Sequence, residues 1–223
     1  MKRLSIAIDG PAGAGKSSVA KILAKGMGYT YLDTGAMYRA LTYEALRRGL
    51  SDPAAIVRMA ETLPLRVSPG EKTMRVFIGE EEVTDKLRTT EVSAAVSAVS
   101  AIPDIRTLMV DLQRKLSAAG GTVLDGRDIG TVVLPHADVK IFLTASPRTR
   151  AIRRYQEMAE TNPGITVDEI EADIRERDYK DSTRETSPLR ESEDAVHLDN
   201  SNLTLEETAA AIRKICDEKA GAC

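Results

Sequence analysis

Tryptophan is absent from this chain and phenylalanine occurs only twice. Aliphatic side chains must therefore fill any core, and a hydrophobic content of 42% is enough for them to do so. No apolar run approaches the ~20 residues needed to span a bilayer. Lys2 and Arg3 lead straight into a short strand-like segment rather than a long apolar stretch, so no secretory leader is expected. The cytoplasm is the expected compartment, with no membrane partner. Cysteine is confined to Cys216 and Cys223 near the C-terminus, which excludes a disulfide framework or a zinc site and suits a reducing compartment. The two histidines, His136 and His197, lie far apart without metal-ligand spacing, and His197 is expected at the edge of the core. Neither sign of charge dominates: the net charge of −3 argues against a general nucleic-acid binder.

What is present is a phosphate-binding signature. Gly10-Pro11-Ala12-Gly13-Ala14-Gly15-Lys16-Ser17 fits G-x-x-x-x-G-K-[ST] at every fixed position. The apolar segment Leu4–Ile8 precedes it, and Val19, Ala20, Ile22, Leu23 and Met27 follow at helical spacing. A strand, a glycine-rich turn and a helix is the context in which this pattern binds phosphate: backbone N–H groups point inward and the helix N-terminus adds partial positive charge. In that setting Lys16 reaches the β/γ-phosphates and the Ser17 hydroxyl ligates Mg²⁺.

The rest of the chain alternates strand and helix, as expected of one α/β domain. Gly28 ends the first helix, and Tyr29–Leu32 reads as a second strand finishing at Asp33. Thr34 is expected to cap the next helix, whose apolar side carries Met37, Leu41, Ala45 and Leu46 and which stops near Gly49. Asp33, Tyr38 and Arg39 then fall either at the ligand-binding edge of a parallel sheet or in an ordinary cap beside a surface arginine. Asp52-Pro53 starts another helix, with Ile56, Val57, Met59 and Ala60 as its apolar contacts. From about residue 64 to 85 the texture becomes antiparallel: a strand at Leu65–Val67, a turn over Pro69–Lys72, and a strand at Thr73–Ile78. A turn over Gly79 and the three glutamates after it follows, with a third strand starting at Val83. This insert either binds an acceptor or is a surface flap.

Two helices follow, opening at Thr90 and Pro103. Val92, Ala95, Val96 and Val99 are apolar on the first, and Ile105, Leu108, Met109, Leu112 and Leu116 on the second. Ser97 and Arg106 flank the corner between them, where surface positions are the plain expectation. Gly120-Gly121 ends the pair, and Thr122–Asp125 reads as a buried strand ending in an acid. That strand runs into a loop over Gly126-Arg127-Asp128-Ile129-Gly130-Thr131. Arg127 there can grip phosphate through two parallel N–H bonds, or the loop is a salt-bridged turn.

Val139–Leu143 and Ala195–Asp199 give a fourth and a fifth core strand. Between them, Ser146-Pro147 caps a helix with Arg150, Arg153 and Arg154 on one face. A second helix opens at Thr166, with Glu169 completing a capping box. It carries Arg177 and Asp181 in line with Arg184. Glu171–Arg175, Asp173–Arg177 and Glu176–Lys180 are spaced for ion pairs. This segment, about 150–187, is either a solvated helical pair or a lid that brings arginines over a phosphoryl group. A last helix, capped by Thr204 and Glu207, is expected to bury Leu205, Ala209, Ile212 and Ile215.

Taken together, GPAGAGKSS at 10–18, LDTGAMYR at 32–39, the antiparallel insert, the Ser97–Arg106 corner, DGRDIGT at 125–131 and RDYKDSTR at 177–184 resemble the P-loop nucleoside monophosphate kinases, in particular the bacterial cytidylate kinases. The resemblance implies a P-loop NTPase-like three-layer α/β fold: a five-stranded parallel sheet, a small antiparallel insert and a helical lid, all in a single domain. It implies transfer of the γ-phosphoryl group of ATP to CMP or dCMP, with Mg²⁺ on Ser17. The ATP site takes residues 10–18, from Gly10 through Ser18. Ser97, Arg106 and Asp128 are implied to read cytosine. Arg39, Arg127 and Arg184 are implied to clamp the acceptor phosphate, and Tyr38, Arg177 and Asp181 to meet the sugar side. Lys16, Arg127 and the lid arginines Arg150, Arg153 and Arg154 are implied to act on the transferring group. The loop after Asp199 is a candidate for adenine contacts. Thr34 stands where serine is expected in relatives, and a hydroxyl is retained. A monomer with small-molecule partners alone is expected. Three other readings are weighed at this point: a P-loop kinase for another small acceptor, a GTPase-like switch, and a P-loop ATPase that processes nucleic acid. The second lacks an N-K-x-D guanine motif and gives an arginine-rich lid no role, and the acidic balance disfavours the third.

Overall fold

The computed structural model describes residues 3–70, 73–158 and 164–221. Its centre is a parallel five-stranded sheet of β1 (Ser5–Asp9), β2 (Thr30–Asp33), β6 (Thr122–Gly126), β7 (Val139–Thr144) and β8 (Val196–Asp199), in the order β2-β6-β1-β7-β8. Because every strand runs the same way, the loops that follow β1, β2, β6 and β7 leave from one edge, and that edge is where ligands bind in open α/β sheets.

Alternation along the strands divides the core in two. Ala7, Leu32 and Leu124 face α2 (Thr34–Arg47), α3 (Pro53–Thr62), α4 (Thr90–Ala101) and α5 (Pro103–Ser117). Ile6, Ile8, Tyr31, Val123 and Ile141 face α1 (Lys16–Met27) and α8 (Leu205–Gly221). The result is the helix–sheet–helix sandwich expected from the sequence.

The insert is a separate antiparallel sheet of β3 (Leu65–Ser68), β4 (Arg75–Ile78) and β5 (Glu81–Glu82). Its third strand comes earlier than expected: Glu81 and Glu82 pair with β4, while buried Val83 lies beyond the strand and leads into a short 3₁₀ turn, Thr84–Lys86. Gly79, with φ 60°, supplies the tight turn that makes this pairing possible. Glu71 and Lys72, part of the expected first turn, lie outside the described residues, as does Cys223.

α6 (Pro147–Met158) and α7 (Val167–Thr183) pack against each other, with a small core of Ala151, Ile170 and Ile174 independent of the two main clusters. A helical pair with its own core can move as a unit. Among the described residues, no single helix is long and apolar enough to cross a membrane.

Several local expectations are corrected. Asp33, not Thr34, caps α2, accepting from Ala36 N at 2.8 Å; Thr34 is the first helical residue. Ile22, Leu116 and Leu205 are exposed at 36–38%, and Gln113 and Cys216 take buried places on α5 and α8 instead. β8 is the expected fifth strand of the sheet, but it lies at the edge, with Val196 41% exposed. β6 runs through Gly126, Arg127 and Asp128 form a bend, and the rest of the expected loop is taken up by a π-helical turn, Ile129–Val133. Asp173 and Arg177 form no ion pair among the described residues, because Arg177 turns inward; Glu171–Arg175 and Glu176–Lys180 do form. The capping boxes at Thr166 and Thr204 are present as expected.

Candidate active site

The phosphate-loop motif wraps the end of β1. Gly10 has φ 148° and lies so close to β7 that a Cβ there would sit 2.0 Å from Leu143 O. Gly15, with φ 85°, turns the chain into α1. Gly10, Pro11 and Ala14 build the loop without lining the cavity beside it. Pro11 O accepts from Lys16 Nζ at 2.6 Å, and Ala14 O accepts from Asn200 Nδ2 at 3.0 Å. Ala12, Gly13, Gly15, Lys16, Ser17 and Ser18 do face the cavity, whose volume is about 690 Å³.

Ser17 and the acid ending β6 meet directly: Ser17 Oγ donates to Asp125 Oδ2 at 2.7 Å. Tyr31 OH donates to the other oxygen, Oδ1, at 2.8 Å. Burial and the nearby carboxylates hold the Tyr31 hydroxyl far above its ordinary pKa, so it stays a donor. Thr34 Oγ1 donates to Asp125 O at 2.7 Å, which joins the start of α2 to β6. Among the described residues no group of three or more His, Cys, Asp or Glu is placed to hold a metal on its own. A hydroxyl beside a carboxylate fits Mg²⁺, which binds one or two protein oxygens, keeps waters and takes further oxygens from phosphates.

The opposite wall is cationic. Arg39, Arg127, Arg177 and Arg184 face the same cavity. Gly35 gives Arg39 its place, since a Cβ there would lie 2.9 Å from Arg39 Nη1. Arg39 Nε, Arg177 Nε and Arg184 Nη2 are buried without a hydrogen-bond partner among the described residues. Burial, then repulsion by Arg127, pushes Arg177 down to about 10. Burial also lowers Arg39, with repulsion from Arg88 and Arg127, and lowers Arg184, with repulsion from Arg106 and Arg127. Lys16 is held well below the usual lysine range by burial and by Arg127. Crowded, poorly solvated cations are stabilised by an anion brought among them. Arg127 Nε donates to Asp181 Oδ2 at 2.8 Å, which ties the loop after β6 to α7.

Deeper in the same cavity, Arg106 and Asp128 form a buried ion pair, both 3–4% exposed, with Ser97 and Tyr38 beside them. The Arg106 guanidinium lies 5.4 Å from the centre of the Tyr38 ring. Burial raises the Tyr38 hydroxyl to about 12. Paired donors and acceptors of this kind can read the polar edge of a base.

The three arginines expected on one face of α6 differ. Buried Arg150 donates to Ala12 O and Ala145 O, both at 2.9 Å, and pairs with Asp178 at 2.7 Å. Arg153 donates to Asn200 Oδ1 at 3.1 Å and Asn200 O at 2.7 Å. Arg154 is exposed, lines the cavity near Arg177, and has no hydrogen bond or ion pair among the described residues.

Every site residue expected from the sequence except Gly10, Pro11 and Ala14 therefore borders one cavity. Four further participants lie outside the expectations drawn from sequence pattern. Arg88 also lines the cavity, donating to Asp33 Oδ2 at 3.0 Å, and no motif marks it. Tyr31 has the pattern of an ordinary strand residue, and Asp178 is hidden in a helix dense with charge. Asp9, at the end of β1, accepts from Ile129 N at 2.8 Å and Gly130 N at 2.7 Å, and so fastens the Arg127–Asp128 segment to the phosphate loop.

A phosphate loop on the central strand, a lysine and serine heading the next helix, an acid on the adjacent strand and an arginine-bearing helical pair beside them define a P-loop kinase. The cytidylate kinase family model matches residues 6–218. The chain belongs to the cytidylate kinase family. A cytidylate kinase of an Exiguobacterium species is 49% identical over 219 residues, covering 97% of this chain and 98% of the relative. One from Carboxydothermus hydrogenoformans is 48% identical over 218 residues, with 97% and 98% covered. Among solved structures, a shikimate kinase from Bacteroides thetaiotaomicron matches with a TM-score of 0.51 at 13% identity, covering 97% of this chain and 99% of that one; this likeness concerns the fold alone.

Proposed function

We propose that the chain transfers the γ-phosphoryl group of ATP to CMP or dCMP, giving ADP and CDP or dCDP. The observation that carries this reading is the joining of two half-sites in one cavity: the Lys16–Ser17 loop on one side, and the arginine wall with the Arg106–Asp128 pair on the other. The chain acts as a single kinase domain, with residues of about 64–85 as the monophosphate-binding insert and about 150–187 as the lid; 71–72 and 159–163 lie outside the described residues. It works as a cytoplasmic monomer.

The attacking group is a phosphate oxygen of the acceptor, ionised near neutral pH, so no strong general base is needed. The P–O bond to the acceptor forms as the bond to the leaving ADP breaks, and positioning with charge neutralisation supplies the catalysis. Lys16 and the loop N–H groups hold the donor phosphates. Arg39, Arg127 and Arg184 hold the acceptor phosphate in line. Tyr38, Arg177 and Asp181 support its sugar side, while Ser97, Arg106 and Asp128 read the cytosine edge. Arg154 is the lid arginine with no competing partner among the described residues, which suits it to the transferring group. Arg150 and Arg153 act on the shape of the donor pocket. Ser17, backed by Asp125, holds Mg²⁺, which when bound neutralises charge on the donor phosphates. Lid closure excludes water and limits ATP hydrolysis.

An acceptor panel with Mg-ATP tests the reading by coupled release of ADP. CMP and dCMP are expected to exceed UMP and AMP in kcat/KM by at least about tenfold, the factor that about 1.4 kcal/mol of differential binding provides. Preference for AMP, or ADP release that ignores the acceptor, would refute it.

A further inference from the structure

Asp125 receives a hydrogen bond on each of its oxygens, and the two donors come from opposite directions. Tyr31 pairs with Val123 across β2 and β6, two residues before Asp125, so its ring lies on the same face of the sheet and its hydroxyl reaches Oδ1. Ser17, at the head of α1, reaches Oδ2. A carboxylate torsion is broad when nothing holds it, whereas donors on both oxygens leave it one orientation. The orientation matters because Ser17 spends its only proton on Oδ2. Its lone pairs are then turned away from Asp125, the arrangement a hydroxyl needs to ligate a cation. The Tyr31 ring is itself fixed, 9% exposed between β6 and α1, with the Lys21 ammonium 5.9 Å from its centre.

We propose that Tyr31 is a positioning residue for the divalent cation of the donor nucleotide, acting through Asp125 on Ser17. The inference rests on the assignment of Mg²⁺ to Ser17 in the proposed function. Tyr31 touches neither nucleotide nor metal. It sets the plane of the carboxylate that takes the Ser17 proton.

The test uses Mn²⁺ as a probe of metal binding, titrated by electron paramagnetic resonance into the full-length protein with ATP and no acceptor. Tyr31→Phe, which removes one oxygen atom, is expected to weaken Mn²⁺ binding about tenfold, the scale on which groups behind a metal ligand act. Binding of ATP without metal should stay within about twofold, and kcat at saturating Mg²⁺ should fall far less than the Mg²⁺ requirement rises. Asp125→Asn should weaken Mn²⁺ binding too, and the double variant should be no weaker than Asp125→Asn alone, because both changes act through one side chain. Unchanged Mn²⁺ affinity in Tyr31→Phe, or additive losses in the double variant, would overturn the inference. Ser17→Ala separates the two failures. If it weakens Mn²⁺ binding while Tyr31→Phe does not, the role of Tyr31 fails and the metal assignment stands. If Ser17→Ala has no effect, the metal assignment itself fails. Should Tyr31→Phe not fold, additivity is read instead between Asp125→Asn and Ser17→Ala, where additive losses refute the shared route through Asp125.

Discussion

Arg150 Nη2 lies 2.7 Å from Asp178 Oδ2, and the same guanidinium donates to Ala12 O in the phosphate loop. One buried side chain therefore links α6 and α7 to the phosphate loop, and its charge is already committed. Arg154, one turn further along α6, carries no such commitment among the described residues. Arg154→Ala is expected to lower kcat about a hundredfold, in the range of lost transition-state charge stabilisation, with Tm nearly unchanged. Arg150→Ala should instead raise KM for ATP and speed amide hydrogen exchange across α6 and α7, because it frees Asp178 and Ala12 O. Steady-state kinetics and exchange mass spectrometry distinguish the two, and a pure kcat loss in Arg150→Ala would reverse these two roles.

Arg127 sits between half-sites, bonded to Asp181 on α7 and crowding Lys16, Arg39 and Arg177. Its removal takes a cation from the acceptor side and leaves Asp181 without its closest partner. Arg127→Ala should cut kcat/KM for CMP by about three orders of magnitude, as when a clamp acting in phosphoryl transfer is lost. The Kd for ATP should move by less than about threefold. Near-normal turnover with CMP would remove Arg127 from the acceptor clamp.

The Arg106–Asp128 pair is buried on both sides, so breaking it strands a charge in a low-dielectric site. Asp128→Ala should destabilise the fold by about 3–5 kcal/mol and also lower the preference for CMP over UMP. A double variant, Arg106→Met with Asp128→Leu, should recover most of the stability, since a buried pair replaced by apolar groups is often neutral. It should not recover base preference. Urea unfolding and the acceptor panel together separate these effects; recovered preference in the double variant would mean the pair serves the fold alone.

Much of this site was legible because its chemistry is written in short contiguous runs. The glycine-lysine loop, the Tyr38–Arg39 segment and the Arg127–Asp128 segment each carry geometry and function within a few residues. What the pattern could not give is set by side chains crossing between elements. Arg150 lies on one face with Arg153 and Arg154, and only the packing of α6 beside Ala12 and Asp178 shows that it is engaged elsewhere. Thr34 has the chemistry of a helix cap, yet Asp33 takes that position and Thr34 Oγ1 goes to Asp125 O instead. Val83 is apolar enough for a strand, but the two-residue turn at Gly79 brings Glu81 and Glu82 into register first. Leu205 fits the apolar stripe of α8 and nevertheless faces the cavity beside Gly15.

Asp9 offers a test that needs no substrate. Two backbone N–H groups, from Ile129 and Gly130, favour its charged form, as does Lys16; burial and Asp128 oppose it. Burial wins, raising the folded pKa to about 6, against ~3.9 for an unfolded aspartate. The folded state therefore holds the Asp9 proton more tightly than the unfolded state. The stabilisation is complete below about pH 4 and is lost as pH rises through about 6, for a total of about 3 kcal/mol. In Asp9→Asn that dependence is absent, while the other titrating groups largely cancel between the two proteins. Urea unfolding of both proteins at pH 4, 5, 6 and 7 should show wild-type stability falling relative to the variant, with most of the change between pH 4 and 6. A difference that instead grows with pH would mean the two N–H bonds outweigh desolvation, and that Asp9 fastens the acceptor segment as a low-pKa carboxylate.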